Sequence, residues 1–217
     1  RRMPRFYAAV AAVLVLCIAG GVLLRLSGGS LMRTAYAIEE AEYPDMAPYP
    51  NENSLFFEQQ WEAWQEAQKA LRQPEGYADG LAAFFRATIP VFLSEQEGEN
   101  SLYSPVNVYM ALGMLAEITG GESRQQILEL VGAESVQELR SQAQAVWRGQ
   151  YRNDGATTTI LANSLWLNED VAFVPEIIAM LAENYYASSY RGEMGSPGLN
   201  RALQNWVNTQ TGGLLEE

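Results

Sequence analysis

The chain has 217 residues, 48% of them hydrophobic and 18% charged, a composition that builds a globular body and is too apolar for disorder. Its formal net charge is −12, and because Arg1, Arg2, Arg5, Arg25 and Arg33 are the only charges before Glu39, taking those five positives away leaves −17 on the remainder. A body that acidic repels phosphate backbones, so no nucleic-acid partner is expected; the lack of histidine excludes His-based triads and His-liganded metals, and the single cysteine, Cys17, excludes an intrachain disulfide.

Residues 6–24 (FYAAVAAVLVLCIAGGVLL) carry no charge. As a helix they reach roughly 28 Å, close to the hydrocarbon thickness of a bilayer. The arginines before them place the N-terminus in the cytoplasm and the body outside, at the extracellular face of the membrane. Ala35-Tyr36-Ala37 has the small-x-small form of a signal-peptidase site, and cleavage after Ala37 would give a secreted protein. It lies a dozen residues past the apolar run, which is also long for a signal peptide, so length favours an uncleaved anchor. Cys17 reads as an apolar filler in this helix. A secreted protein without disulfides is more usual for bacteria than for animals.

Residues 1–37 therefore form the anchor or signal segment. Residues 38–53, with Pro44, Pro48, Pro50 and many acids, read as a semi-extended stalk unable to bury a core. The body is expected over 54–217. Phe57, Trp61, Trp64 and Leu71 share one helical face, with Gln68 in the remaining slot, and residues 73–76 (QPEG) end that helix. The tryptophans read either as a docking face for a partner or, in the reading apolar helix faces favour, as packed on the chain's own body.

A second amphipathic helix carries Leu81, Phe84, Phe85, Ile89 and Phe92. Residues 95–100 form a polar turn, and 101–104 are short and strand-like. Residues 106–118 are nearly all apolar and predict a buried helix. Ser123 and Gln126 form a capping box for the next helix, stopped at Gly132; Ser135 and Glu138 form another, opening a helix with Leu139, Ala143 and Trp147 inward. Asp154-Gly155 signals a turn. Residues 157–167 (TTTILANSLWL), apolar on both alternating sets, predict a central strand. Residues 174–185 return to helical period with Pro175 in the first turn. Residues 186–193 predict a strand, and Ser196-Pro197 opens a last helix carrying Leu199, Leu203, Trp206 and Val207, ended by Thr211-Gly212-Gly213.

These elements give an α+β body whose helices flank a sheet. Two strands cannot make an independent sheet, and a lone apolar strand exposes a hazardous edge, so the sheet looks unfinished. For catalysis, Lys69 is the only lysine available to a Ser-Lys pair, and it lies on an exposed helix face beside Glu66. Neither a phosphate loop nor a dinucleotide fingerprint occurs. No cofactor is implied, and the chain is not expected to be an enzyme.

Within residues 101–132 (SLYSPVNVYMALGMLAEITGGESRQQILELVG) a Ser104-Pro105 corner leads into an apolar helix, a Thr119-Gly120-Gly121 break, and a second helix ending at Gly132. That order resembles the amino-terminal region of the serpins, the serine-protease-inhibitor family. Residues 162–167 (ANSLWL) resemble the second strand of the family's large sheet, and Asn205-Trp206-Val207 with Thr211-Gly212-Gly213 resembles the end of the helix crossing it. The resemblance covers about residues 78–217. It implies a serpin fold and a target protease as partner, inhibited when a cleaved bait loop inserts into the sheet. It also implies a shutter role for Ser104, for Asn107 where the family usually has serine, and for Asn163. Leu214 departs from the family, standing where lysine is common. The bait loop and the family's C-terminal signature match no segment of residues 1–217, so these residues are expected to be the first part of a longer inhibitor, inactive by themselves. The alternative is a non-inhibitory, membrane-tethered interaction module on a serpin scaffold, acting through Trp61 and Trp64.

Overall fold

The computed structural model describes residues 35–94 and 101–215. The apolar run at 6–24, Cys17 and the polar turn at 95–100 lie outside these residues. Among the described residues no helix is long and apolar enough to cross a membrane.

Seven helices are formed among them: α1 (Phe57–Leu71), α2 (Leu81–Leu93), α3 (Pro105–Ile118), α4 (Gly121–Val131), α5 (Val136–Gln150), α6 (Pro175–Tyr185) and α7 (Pro197–Gln210). The strands are β1 (Ala37–Glu39), β2 (Arg152–Asn153), β3 (Thr158–Thr159), β4 (Asn163–Asn168) and β5 (Ala187–Gly192). The architecture is α+β.

The helices follow the apolar period and its punctuation. Pro105 supplies the first turn of α3, where its missing N–H costs nothing. Gly132 closes α4 at φ 75°, a left-handed position that glycine takes without strain. Ser135 Oγ accepts from Glu138 N at 3.1 Å, and Glu138 Oε2 accepts from Glu134 N at 2.7 Å, so the second predicted cap is built. The first is not: α4 begins two residues before Ser123, at Gly121, whose φ of 58° turns the chain into the helix without a side-chain cap. In α2 the buried side chains are Leu81, Phe84 and Thr88, so Ile89 and Phe92 fall outside the packing stripe expected to hold them. Phe92 instead stacks on Tyr103 at 4.4 Å. Residues 101–104 form no strand and lead directly into α3.

The sheet runs β1–β5–β4, with β4 parallel to β5 from Asn163↔Ala187 to Asn168↔Gly192. The predicted eleven-residue central strand is broken. The Asp154-Gly155 turn folds Thr158–Thr159 back on Arg152–Asn153, and the Leu161 carbonyl is taken by the Trp147 indole N–H at 2.8 Å rather than by a ladder. What remains, β4, is an edge strand among the described residues, and β5 is the central one.

The core gathers Phe84, Tyr109, Met110, Leu139, Trp147, Leu181 and Tyr185 between the helices and the inner face of the sheet. Tyr186 takes a left-handed conformation at the end of α6 (φ 50°), unusual for a bulky residue, and its ring is held parallel to Trp147 at 3.5 Å.

The 38–53 stretch departs most from expectation. It is extended, but it is not a free stalk: β1 pairs with β5, Ala41, Tyr43 and Met46 pack against the core, and Pro50 is buried. The prolines stop it from forming a helix, while the apolar residues between the acids give it a side that can lie on the body.

Candidate functional site

The three residues singled out for the shutter occupy two levels. Ser104 precedes α3 in extended backbone (φ −108°, ψ 94°) and makes no capping bond through its side chain. Asn107 stands in the first turn of α3. Both are exposed. Asn163, the first residue of β4, is buried, and its Nδ2 donates to the Tyr185 carbonyl at 2.8 Å. No hydrogen bond among the described residues joins Ser104 or Asn107 to Asn163. The structure thus ties Asn163 to the end of α6 and does not assemble the trio.

What it does assemble around Asn163 is a buried network. Glu117, on α3, is 5% exposed. Its carboxylate accepts from Arg140 Nε and Nη2 of α5, both at 2.8 Å, and from the Tyr185 hydroxyl of α6 at 3.1 Å. A fork-on-fork arrangement fixes two planes at once and suits a site where geometry matters. The hydrogen bonds to Glu117 hold the Arg140 guanidinium above its ordinary value, against the burial that would lower it. Burial first, then the Glu117 charge, pushes the Tyr185 hydroxyl up. Gly113 lets the tyrosine in: a Cβ there would stand 2.7 Å from Tyr185 Cε1. Three helices and the start of β4 are therefore linked through Tyr185, by its ring, its hydroxyl and its carbonyl.

Glu117, Arg140, Tyr185 and Gly113 are not among the residues that the sequence singles out. Glu117 did carry a signal, as the sole charge in the apolar run 106–118. Arg140, 23 positions away, carried none. Chemically the network is a brace: its ion pair neutralises itself, the Tyr185 hydroxyl donates to the carboxylate, and Asn163 holds backbone. Among the described residues no cluster of three or more acidic, cysteine or histidine side chains could hold a metal ion.

The tryptophans of α1 divide. Trp64 packs on the body, its indole N–H donating to Asp154 Oδ2 at 3.0 Å and its ring lying under Arg152 at 5.4 Å. Burial works to raise the Asp154 carboxyl, but bonds from Trp64, Thr157 and Ala156 and the Arg152 charge outweigh it and hold the group below the usual range. Trp61 leans on Trp64 at 5.3 Å and stays 37% exposed. Lys69 pairs with Glu66 at 3.2 Å on the exposed side of α1.

The order of elements from α2 to α7, with a parallel β4–β5 pair braced by α3 and α6, has counterparts of known family. The serpin (serine protease inhibitor) family model matches residues 83–217, more than half of the chain. The chain belongs to the serpin family. Among curated serpins, Serpin-ZX of Arabidopsis thaliana is 24% identical over 133 residues, which are 58% of this chain and 34% of that protein. The plasma serine protease inhibitor of Mus musculus is 25% identical over 148 residues, 65% of this chain and 35% of that one. The chain thus spans about a third of the length of these relatives. The fold agrees with human glycosylated kallistatin (TM-score 0.58, 21% identity, 66% of this chain and 40% of that one). It also agrees with an Arabidopsis serpin in its native stressed conformation (TM-score 0.56, 18% identity, 67% and 39%). The described residues form part of a serpin fold.

Proposed function

We propose that the complete protein inhibits a serine or cysteine protease by inserting a cleaved reactive loop into the sheet that β4 and β5 begin. In that scheme the protease supplies the nucleophile, and the serpin supplies the free energy of a sheet that gains a strand. The family match carries the reading. The outer side of β4 supports it: the strand is apolar toward the helices, parallel to β5, and unpaired on its other edge among the described residues, so its ladder groups there call for another strand.

Asn163 fixes the lower end of β4 to the brace below. Ser104 and Asn107, exposed at the head of α3, take up the shutter role when further strands of the sheet lie over them. Residues 6–24 hold the protein at the extracellular face of the membrane, or the chain is secreted if cut after Ala37. The protein is not itself a catalyst and does not bind nucleic acid. Of the two tryptophans on which an interaction module would depend, Trp64 is already engaged by Asp154, so that alternative has little surface to use.

The test is incubation of the complete protein with a panel of serine and cysteine proteases, followed by denaturing electrophoresis. A covalent complex stable to detergent is expected, and residues 1–217 alone should form none. Cleavage of the complete protein by every protease tried, without any trapped complex, would end the inhibitory reading.

A further inference from the structure

The run before the family-matched body makes three successive attachments. β1 adds to the outer edge of β5, pairing Ala37 with Tyr190 and Glu39 with Ser189, and the Ala41 N–H donates to Ser188 Oγ at 3.1 Å. Two residues on, the Tyr43 ring lies 5.3 Å from Trp147 and 5.9 Å from Tyr151, and its hydroxyl donates to Gln210 Oε1 at 3.2 Å. Farther along, the Tyr49 N–H donates to the Asp154 carbonyl at 2.7 Å, and Trp64 closes over the same residue. The residues of the run that make these attachments, 37–64, lie outside residues 83–217, while the residues they attach to lie within.

The middle attachment has the most consequence. Gln210 is the last residue of α7. The other hydrogen bonds of α7 are made within the helix or to the chain turns at its two ends. Among the described residues, the Tyr43–Gln210 bond is the one hydrogen bond that ties α7 to a distant element. Through residues 41–43 the same short run also holds the edge of β5. The outer strand of the sheet and the end of α7 are thereby joined by a segment that is not part of the matched body.

We infer that residues 37–64 are an intramolecular latch, with Tyr43 as its bolt, that ties the end of α7 to the outer strand of the sheet and slows the sheet rearrangement of the complete protein. The inference rests on the inhibitory reading in one respect only, that the sheet must open. A strand cannot enter a sheet unless the strands already there move, and a tie that joins the outer strand to the end of α7 must break or travel with them. The aromatic seat gives the latch its grip. Tyr43 sits among rings at offset angles, the arrangement in which ring quadrupoles attract. A metastable sheet held by such a tie keeps its stored free energy longer.

The test uses the complete protein and three variants. Tyr43→Phe keeps the ring and removes the bond, Gln210→Ala removes it from the other side, and Ala41→Pro removes the N–H that meets Ser188. Hydrogen exchange of the last two turns of α7 should quicken about tenfold in Tyr43→Phe and in Gln210→Ala, with little further change when the two are combined, because they delete one interaction. Ala41→Pro should quicken exchange at residues 188–190. Spontaneous loss of protease-trapping capacity on standing should be at least threefold faster in Tyr43→Phe. Unchanged α7 exchange in both single variants would overturn the latch, and faster exchange with an unchanged lifetime of trapping would overturn its control of the sheet. If the wild-type protein traps no protease, the inhibitory reading fails, and the α7 exchange still decides whether Tyr43 holds the helix.

Discussion

Glu117 and Arg140 form a pair whose two halves are unequally hidden: their side chains are 3% and 30% exposed. Removing one partner of a buried pair strands the other, and the cost is set by the group left behind. Arg140→Ala leaves a carboxylate in the core and should cost about 3–5 kcal/mol, while Glu117→Ala leaves a cation that can reach water and should cost about 2–3 kcal/mol. Urea unfolding of the two variants reads the order directly; equal losses would mean that the pair is not the brace described. Tyr43 gives a pH test. Burial first, then the neighbouring Tyr151 and Tyr190, push its hydroxyl up to about 12. The folded chain keeps this proton at pH values where the unfolded chain, titrating near its ordinary value, has released it. Its contribution is therefore complete below about pH 10 and lost as pH rises through 12. Several buried tyrosines titrate late, Tyr109 and Tyr185 among them, so tyrosinate absorbance on alkaline titration should show one late-titrating group fewer in Tyr43→Phe than in the wild type. At this scale the resemblance pointed to Asn163, and the structure gives that residue a buried bond. The brace it joins was not legible, because partners that meet across 23 or 68 positions leave no local pattern.

Helices were legible wherever period and punctuation agreed. α5 is the clearest case: Ser135 and Glu138 sit three apart before an apolar stripe, and Leu139, Ala143 and Trp147 are all fully buried. Ser135→Ala should therefore lower stability by about 1 kcal/mol, measured by thermal or urea unfolding, whereas Ser123→Ala, inside α4 and not at its cap, should leave stability unchanged or raise it by a few tenths of a kcal/mol, because Ala is the better helix former. Strands were less legible. Residues 157–167 have strand composition throughout, yet strand formation needs a partner, and the hairpin turn at Asp154 supplied one for Thr158–Thr159 in a second sheet. β1 was hidden for the opposite reason. Its neighbours are acids and prolines, the composition of a solvated linker, and only the free edge of β5 makes three of these residues a strand.

Across the whole molecule, α3 is apolar nearly all round and is covered on one side: Tyr109, Met110 and Ala116 are buried while Leu115 and Ile118 stay 41% and 45% exposed. A helix of that kind belongs inside a larger body. The edge of β4 that is unpaired among the described residues makes the same demand from the sheet. Both fit a scaffold whose sheet receives further strands, and in the proposed inhibitor one of those arrives only after a protease has cut the loop that carries it. The most direct measurement is detection of a detergent-stable covalent complex between the complete protein and an active serine protease. The expected result is a trapped band that is lost when the protease nucleophile is blocked beforehand. A complete protein that every protease tested either ignores or cuts and releases would contradict it.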